Sequence, residues 1–285
     1  MNCSPVIIIG APRSGTNILR DVLLQVPGFG SWPCDEINYI WRYGNASYPT
    51  DELLPENVTP VVSRYIRNSF SRLAERKKLS TVIEKTCANS LRVAFVDKIM
   101  PEARYVFIYR DGIDVAGSAL KRWNAKMNVS YLARKARYVP LSDIPFYTGR
   151  YLYSRTYRLF SGENRLAFWG PHFEGMDNAL RNYSLVEVCA LQWKRCLELS
   201  EKAFADMEND RVIKVRYEDL VTEPVKELRR IIGCLQPGTR EAIIQSAAGN
   251  LKDSSVGKGR MFLPPEDYDK VRLLINDTLT RYGYP

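Results

Sequence analysis

The sequence predicts an α/β fold of three layers, a mostly parallel central sheet flanked by helices. Three observations predict it. A short β-branched run, Val6-Ile-Ile-Ile9, is apolar at every position, and such a run suits a strand buried on both faces, as in a parallel sheet. Helical periods follow this run and later strand candidates, so strands alternate with helices. The chain has 285 residues, 45% of them hydrophobic and 26% charged, which is enough to bury one large core at an ordinary globular composition.

Taken in order, the first strand ends at Gly10, a polar turn follows, and residues 18–24 carry a helical pattern. Residues 81–83 form a short strand candidate. Residues 104–109 form a stronger one, followed by a helix from about 114 to 123. A further strand spans 211–217, and a helix over 224–235 places Val225, Leu228, Ile231 and Ile232 on one face. Two segments interrupt the rhythm. Residues 121–158 hold nine Lys or Arg, one Asp and six Tyr; residues 251–265 contain Gly257, Gly259, Pro264 and Pro265 with no period. Both are expected as excursions on the rim of the sheet. No repeat, low-complexity tract or linker divides the chain, so residues 1–285 are expected to form one domain.

The net charge is +9, from 41 Lys and Arg against 32 Asp and Glu. That balance favours anionic partners without choosing among them. The six cysteines, at 3, 34, 87, 189, 196 and 234, form no CxxC pair and no zinc spacing, and are expected as reduced thiols in a cytoplasmic protein. His172 is the only histidine, which excludes a His-rich metal site. No apolar run reaches membrane-spanning length, and Val6–Ile9 is too short for a signal peptide. The Asn-x-Ser/Thr sequons, among them those starting at 45, 57, 128 and 182, are therefore read as chance matches.

Gly10-Ala-Pro-Arg-Ser-Gly-Thr-Asn17 joins the first strand to the first helix. A loop at that place turns successive backbone N–H groups toward one point at a helix N-terminus, a geometry that binds phosphate. Gly15 permits close backbone approach. Arg13 supplies charge, and Ser14, Thr16 and Asn17 supply side-chain donors. The loop lacks the lysine that follows the second glycine of a Walker loop, and its cation stands two residues before Gly15 instead. Pro12-Arg13-Ser14-Gly15-Thr16 resembles the 5′-phosphosulfate loop of sulfotransferases that use 3′-phosphoadenosine 5′-phosphosulfate (PAPS). The resemblance implies that Arg13 acts on the bridging oxygen.

Further along, Arg110-Asp111 and Ser118, eight residues after the Arg, stand at a strand end and in the following helix. An Arg with bidentate donors and a hydroxyl could converge there on one anion. The pattern resembles the family's second signature, whose Arg and Ser grip the 3′-phosphate. Tyr217-Glu218-Asp219-Leu220 resembles a family segment whose Tyr lies near the adenine. Gly257-Lys258-Gly259-Arg260 resembles the cationic loop over the 3′-phosphate, with Lys258 the nearer match and Arg260 the more distant. These elements span residues 6–260, nearly the whole chain.

Sulfuryl transfer is an in-line displacement in which the acceptor loses a proton, so a general base is sought. Cys87 stands where cytosolic members of the family carry a His, and a neutral thiol is a poor base. The resemblance to the carbohydrate-modifying branch implies Glu36 instead, 23 residues after Arg13, with Asp35 and Glu84 as rivals. Lys85 matches the lysine that approaches the transferring group in relatives. His172 comes too late in the chain for the family's base and is expected to be structural or to line the acceptor pocket.

The resemblance thus implies a sulfotransferase with PAPS as donor, 3′-phosphoadenosine 5′-phosphate (PAP) as product and no metal. The acceptor is expected to present a hydroxyl or amine. The basic, Tyr-rich segment 121–158 favours a sugar-like or anionic acceptor, such as a carbohydrate or small metabolite, while protein, lipid and small aromatic acceptors stay open. Neither a nucleic-acid partner nor a membrane span is expected, and the oligomeric state is not readable. Two rivals remain. A P-loop nucleotide kinase needs magnesium and the missing lysine. A non-catalytic nucleic-acid or anion-binding module could use residues 121–158 to track a backbone and stack bases.

Overall fold

The structure, a computed structural model, describes residues 3–123, 138–149 and 169–284. Residues 124–137 and 150–158 of the expected rim excursion lie outside that description. Five strands form one sheet: β1 (Ser4–Ile9), β2 (Phe29–Gly30), β3 (Thr81–Lys85), β4 (Arg104–Tyr109) and β5 (Val212–Arg216). Their order is β2-β3-β1-β4-β5, and every neighbouring pair is parallel.

Alternation of side chains along the strands builds the two outer layers. Ile7 and Ile9 of β1, Val82 of β3 and Tyr105 and Phe107 of β4 face one layer. It contains α3 (Pro60–Lys77), α4 (Val93–Ile99), α5 (Gly112–Trp123), α7 (Leu185–Phe204) and α11 (Pro265–Arg281), with α2 (Asn38–Trp41) and α6 (Met176–Asn182) beside them. Val6, Ile8, Ile83, Val106, Ile108, Ile213 and Val215 face the other. That layer contains α1 (Thr16–Leu23), α8 (Tyr217–Thr222), α9 (Pro224–Leu235) and α10 (Glu241–Ala248). Ile7, Ile8 and Ile9 are fully buried, each contributing about 1.5–3 kcal/mol.

The strand expected over 211–217 is shorter at both ends. Arg211 sits in a one-turn helix, with its Nε donating to the Ala103 carbonyl at 3.2 Å, and Tyr217 opens α8. Helix α5 starts two residues before the expected 114, because Asp111 caps it by accepting the Ile113 N–H at 2.8 Å. Helices α3, α7 and α11 were not among the expected elements. Their signals were local: Pro60 at the first turn behind the Thr59 cap, the Ser184/Glu187 capping box, and Pro265 followed by Glu266 and Asp267.

The strand order decides where a ligand can sit. The chain leaves β1 toward β2 on one side and leaves β4 toward β5 on the other. The carboxyl ends of β1 and β4 therefore flank a topological switch point, the usual ligand crevice of an open parallel sheet.

Candidate active site

A cleft of about 1390 Å³ opens at that switch point. Of the residues expected to form the site, all but Ser14 and Arg260 line it, and so does Asp35, whereas Glu84 does not.

The loop after β1 has two left-handed residues, Arg13 at φ 72° and Gly15 at φ 91°, on either side of Ser14. This conformation turns backbone N–H groups to one side at the start of α1, which has no side-chain cap. A non-glycine residue held there costs about 1–2 kcal/mol. Arg13 is exposed at the cleft and its Nε donates to Ser118 Oγ at 3.0 Å. Desolvation by the cleft walls, followed by the like charges of Arg122 and Arg110, lowers the pKa of its guanidinium. Tyr217 packs on the loop so closely that a Cβ on Gly15 would come within 2.3 Å of its ring.

Arg110 leaves the end of β4 nearly buried, at 6% exposure, and its guanidinium lies 4.4 Å from the centroid of the Tyr217 ring. Nη1 donates to the Arg13 carbonyl at 3.1 Å, and Nη2 donates to Asp114 Oδ2 and to the Ser255 carbonyl. The other Asp114 oxygen, Oδ1, accepts the backbone N–H groups of Gly259 and Arg260. Asp114 thus ties the strand-end Arg to the loop 255–262. The approach tolerates no side chain, since a Cβ on Gly259 would stand 1.7 Å from the Asp114 carbonyl oxygen. Sequence reasoning had left Asp114 without a role, although its i,i+4 spacing from Arg110 was the available signal. Lys258 is exposed in the cleft, whereas the Arg260 side chain pairs with Asp111 instead.

On the β3 side, Lys85 is almost wholly buried and its Nζ lies 3.1 Å from Glu36 Oε1. The same oxygen accepts the Cys87 N–H at 3.4 Å. Burial works against the Lys85 ammonium, but the Glu36 carboxylate outweighs it and holds the pKa above the ordinary range. Burial pushes the Cys87 thiol up to about 12, so it is neutral near pH 7. Among the rivals, Asp35 pairs with Arg20 at 3.2 Å. Glu84 is 1% exposed, and burial pushes its carboxyl up to about 7 against the Thr86 hydroxyl bonded to it.

Beyond Glu36 the cleft wall is aromatic and apolar. Tyr39 meets Tyr147 edge to face at 4.6 Å, and Val139, Ile144 and Trp169 also line it. His172 lies on this wall, with Nδ1 at 3.0 Å from the Pro49 carbonyl and Nε2 at 3.2 Å from Asp177 Oδ1.

Three buried polar atoms at the β1 and β4 side of the site, Ser14 Oγ, Arg110 Nε and Tyr217 OH, have no hydrogen-bond partner among the described residues. Each such atom costs about 1–3 kcal/mol. Together with the left-handed loop they fit a phosphate-bearing nucleotide.

Comparison with known proteins agrees with this geometry. The model of the Sulfotransferase family matches residues 5–143 and 151–237; the chain belongs to that family. The sulfotransferase domain from the curacin biosynthetic pathway shares 13% identity at a TM-score of 0.57, over 99% of this chain and 98% of that one. The sulfotransferase STF9 of Mycobacterium avium shares 13% at a TM-score of 0.58, over 100% and 78%. A mouse sulfotransferase solved in complex with PAP shares 12% at 0.51, over 97% and 85%. At these identities the likeness is one of fold. No curated protein sequence matches the chain significantly.

Proposed function

We propose that the chain transfers a sulfuryl group from PAPS to a hydroxyl or amine of an acceptor, with Glu36 as general base. The observation that carries this reading is the Glu36–Lys85 pair, 3.1 Å apart in the same cleft as the Arg13 loop. When bound, PAPS supplies an activated sulfuryl group on a 5′-phosphate. Residues 13–17 would hold that end, with Arg110, Ser118 and Lys258 on the 3′-phosphate and Tyr217 on the adenine. Gly259 lets its loop approach Asp114, and the Arg260 backbone N–H braces the same contact.

The chain's own groups then divide the work. Arg13 places positive charge where the leaving phosphate gains negative charge, and a fixed cation in a walled cleft is worth more than one in water. Lys85, kept charged by Glu36, is a second cation at the reacting end. Glu36 Oε1 faces the Lys85 ammonium and the Cys87 N–H, so the carboxylate stands at the reacting end, where it would take the acceptor's proton. The aromatic wall from Tyr39 to Trp169 packs the acceptor body. The basic segment 121–158 would bring a sugar-like or anionic acceptor to the same mouth. The reading calls for no metal.

A calorimetric titration with PAP, with and without magnesium, tests the donor half, and the expected result is binding that does not depend on the metal. For the base, Glu36→Gln should lower kcat by about 10²-fold or more and change PAP affinity little. If Glu36→Gln turns over normally while Asp35→Asn or Glu84→Gln does not, the base is the residue that failed.

A further inference from the structure

From Glu84, behind the cleft, to Asn38, Arg42 and Asp51 on its lining runs a chain of polar side chains that the reaction as described does not use. Glu84 Oε1 accepts the Thr86 hydroxyl at 2.5 Å, and Glu84 Oε2 accepts Asn89 Nδ2 at 2.9 Å. Asn89 Oδ1 accepts Arg92 Nε at 2.9 Å, and Arg92 Nη2 donates to Asn38 Oδ1 at 2.5 Å. Asn38 Nδ2 and Arg42 Nη1 both donate to Asp51 Oδ1, at 3.2 and 3.0 Å. Glu84, Thr86, Asn89, Arg92, Arg42 and Asp51 are all buried. Two cations and two carboxylates out of water are weak evidence for stability, because their desolvation offsets their attraction. These bonds still hold their members in one arrangement, although Arg42 Nε and Arg92 Nη1 have no hydrogen-bond partner among the described residues.

The segment it reaches is the one that carries Glu36. Residues 31–37 form no helix or strand, so no backbone ladder holds them in register. The network grips the residues just past Glu36 instead. Thr86 Oγ1 accepts the Ile37 N–H at 3.1 Å, and Arg92 and Asp51 hold the side chain of Asn38. A threonine hydroxyl has one proton, and here it goes to Glu84, which leaves its lone pairs for the amide. The contacts run in register: residue 36 meets Lys85 and residue 37 meets Thr86. The same strand end therefore carries both the cation that faces Glu36 and the group that clamps its neighbour.

We infer that Thr86 is a positioning residue: its hydroxyl, oriented by Glu84, clamps the Ile37 amide and thereby holds Glu36 at the reacting end of the cleft. Asn38, gripped by Arg92 and Asp51, is a second clamp on the same segment. The inference rests on Glu36 being the general base. Misplacing a catalytic group by about 1 Å costs on the order of 10²-fold.

The test is a kinetic cycle with Thr86→Val, which keeps the shape and removes the hydroxyl, Thr86→Ser, which restores it, and Glu36→Gln. Thr86→Val should lower kcat at least about 10-fold with PAP affinity within about 2-fold, and Thr86→Ser should recover most of the loss. Placed on Glu36→Gln, Thr86→Val should add nothing, since a clamp cannot misplace a base that is already gone. A merely structural role would weaken PAP binding as well and would slow the Glu36→Gln enzyme by the same factor; either result overturns the inference, as does normal turnover of Thr86→Val. Should thermal unfolding show that Thr86→Val does not fold, Asn38→Ala enters the same cycle with the same expected outcomes. If Glu36→Gln itself turns over normally, the base assignment falls and the inference with it. If Glu36→Gln is slow but the losses multiply, the inference alone falls.

Discussion

Gly15 is where the loop after β1 meets Tyr217, whose ring lies under the Arg110 guanidinium, and Gly15→Ala probes that arrangement. Alanine at φ 91° costs about 1–2 kcal/mol. Its Cβ would lie 2.3 and 2.7 Å from Tyr217 Cδ2 and Cε2, where carbon atoms prefer about 3.5–4.0 Å. The ring must therefore retreat by about 1 Å, yet Tyr217 is fully buried, and overpacking of that kind costs about 1–3 kcal/mol. The sum is about 2–5 kcal/mol, which corresponds to roughly 3–8 °C in Tm for a chain of this size. Because the Arg110 guanidinium lies over the same ring, PAP affinity should also fall, by about 5- to 30-fold, as a contact worth about 1–2 kcal/mol is disturbed. Gly175→Ala is the control. It has φ 83° but open space around the added Cβ, so it should lose only about 1–2 kcal/mol and bind PAP normally. Differential scanning calorimetry and PAP titration of the two variants decide the matter. Equal melting and equal PAP binding would refute the wedge of Tyr217 on the loop and its link to Arg110.

Arg110→Ala should weaken PAP by about 1.5–3 kcal/mol, the worth of a charged contact; an unchanged preference between PAP and adenosine 5′-phosphosulfate would show that Arg110 does not read the 3′-phosphate. Glu84 titrates at about 7, above the ordinary 4.5. The folded chain therefore binds this proton more tightly than the unfolded chain, and stability should fall as pH rises from about 4.5 to 7. Glu84→Gln should flatten that stretch of a stability–pH profile, and an unchanged slope would count against it. Replacing Arg134, Lys135 and Arg137 together, in the basic segment outside the described residues, should raise the acceptor KM and spare PAP affinity; an equal loss for both substrates would argue against an acceptor role.

The sequence by itself determined the fold class and most of the residues that meet in the cleft. Parallel strands buried on both faces must be apolar throughout, so β1 and most of β4 stood out as runs, while the edge strand β5 alternates, with Lys214 exposed. Ligand-binding groups of such a sheet sit at strand ends, which is where the loop of Arg13 and Arg110 stand; Lys85 is named by the family resemblance. Elements without that signal were harder to read. Strand β2 is only Phe29–Gly30, too short for any period, and its place beside β3 comes from pairing with Thr81 and Val82. Tertiary structure alone decided the strand order, which brings the ends of β1, β3 and β4 to one cleft. It also decided contacts between residues far apart in the chain: Asp114 with the Gly259 loop, Glu36 with Lys85, and Thr86 with the Ile37 amide. The reason is physical. A strand or helix announces itself by a local period of buried side chains, whereas a polar contact across the fold depends on which strand ends become neighbours. Arg260 shows the limit: its charge and place in the loop suited an anion, but the cap of α5 at Asp111 took its side chain.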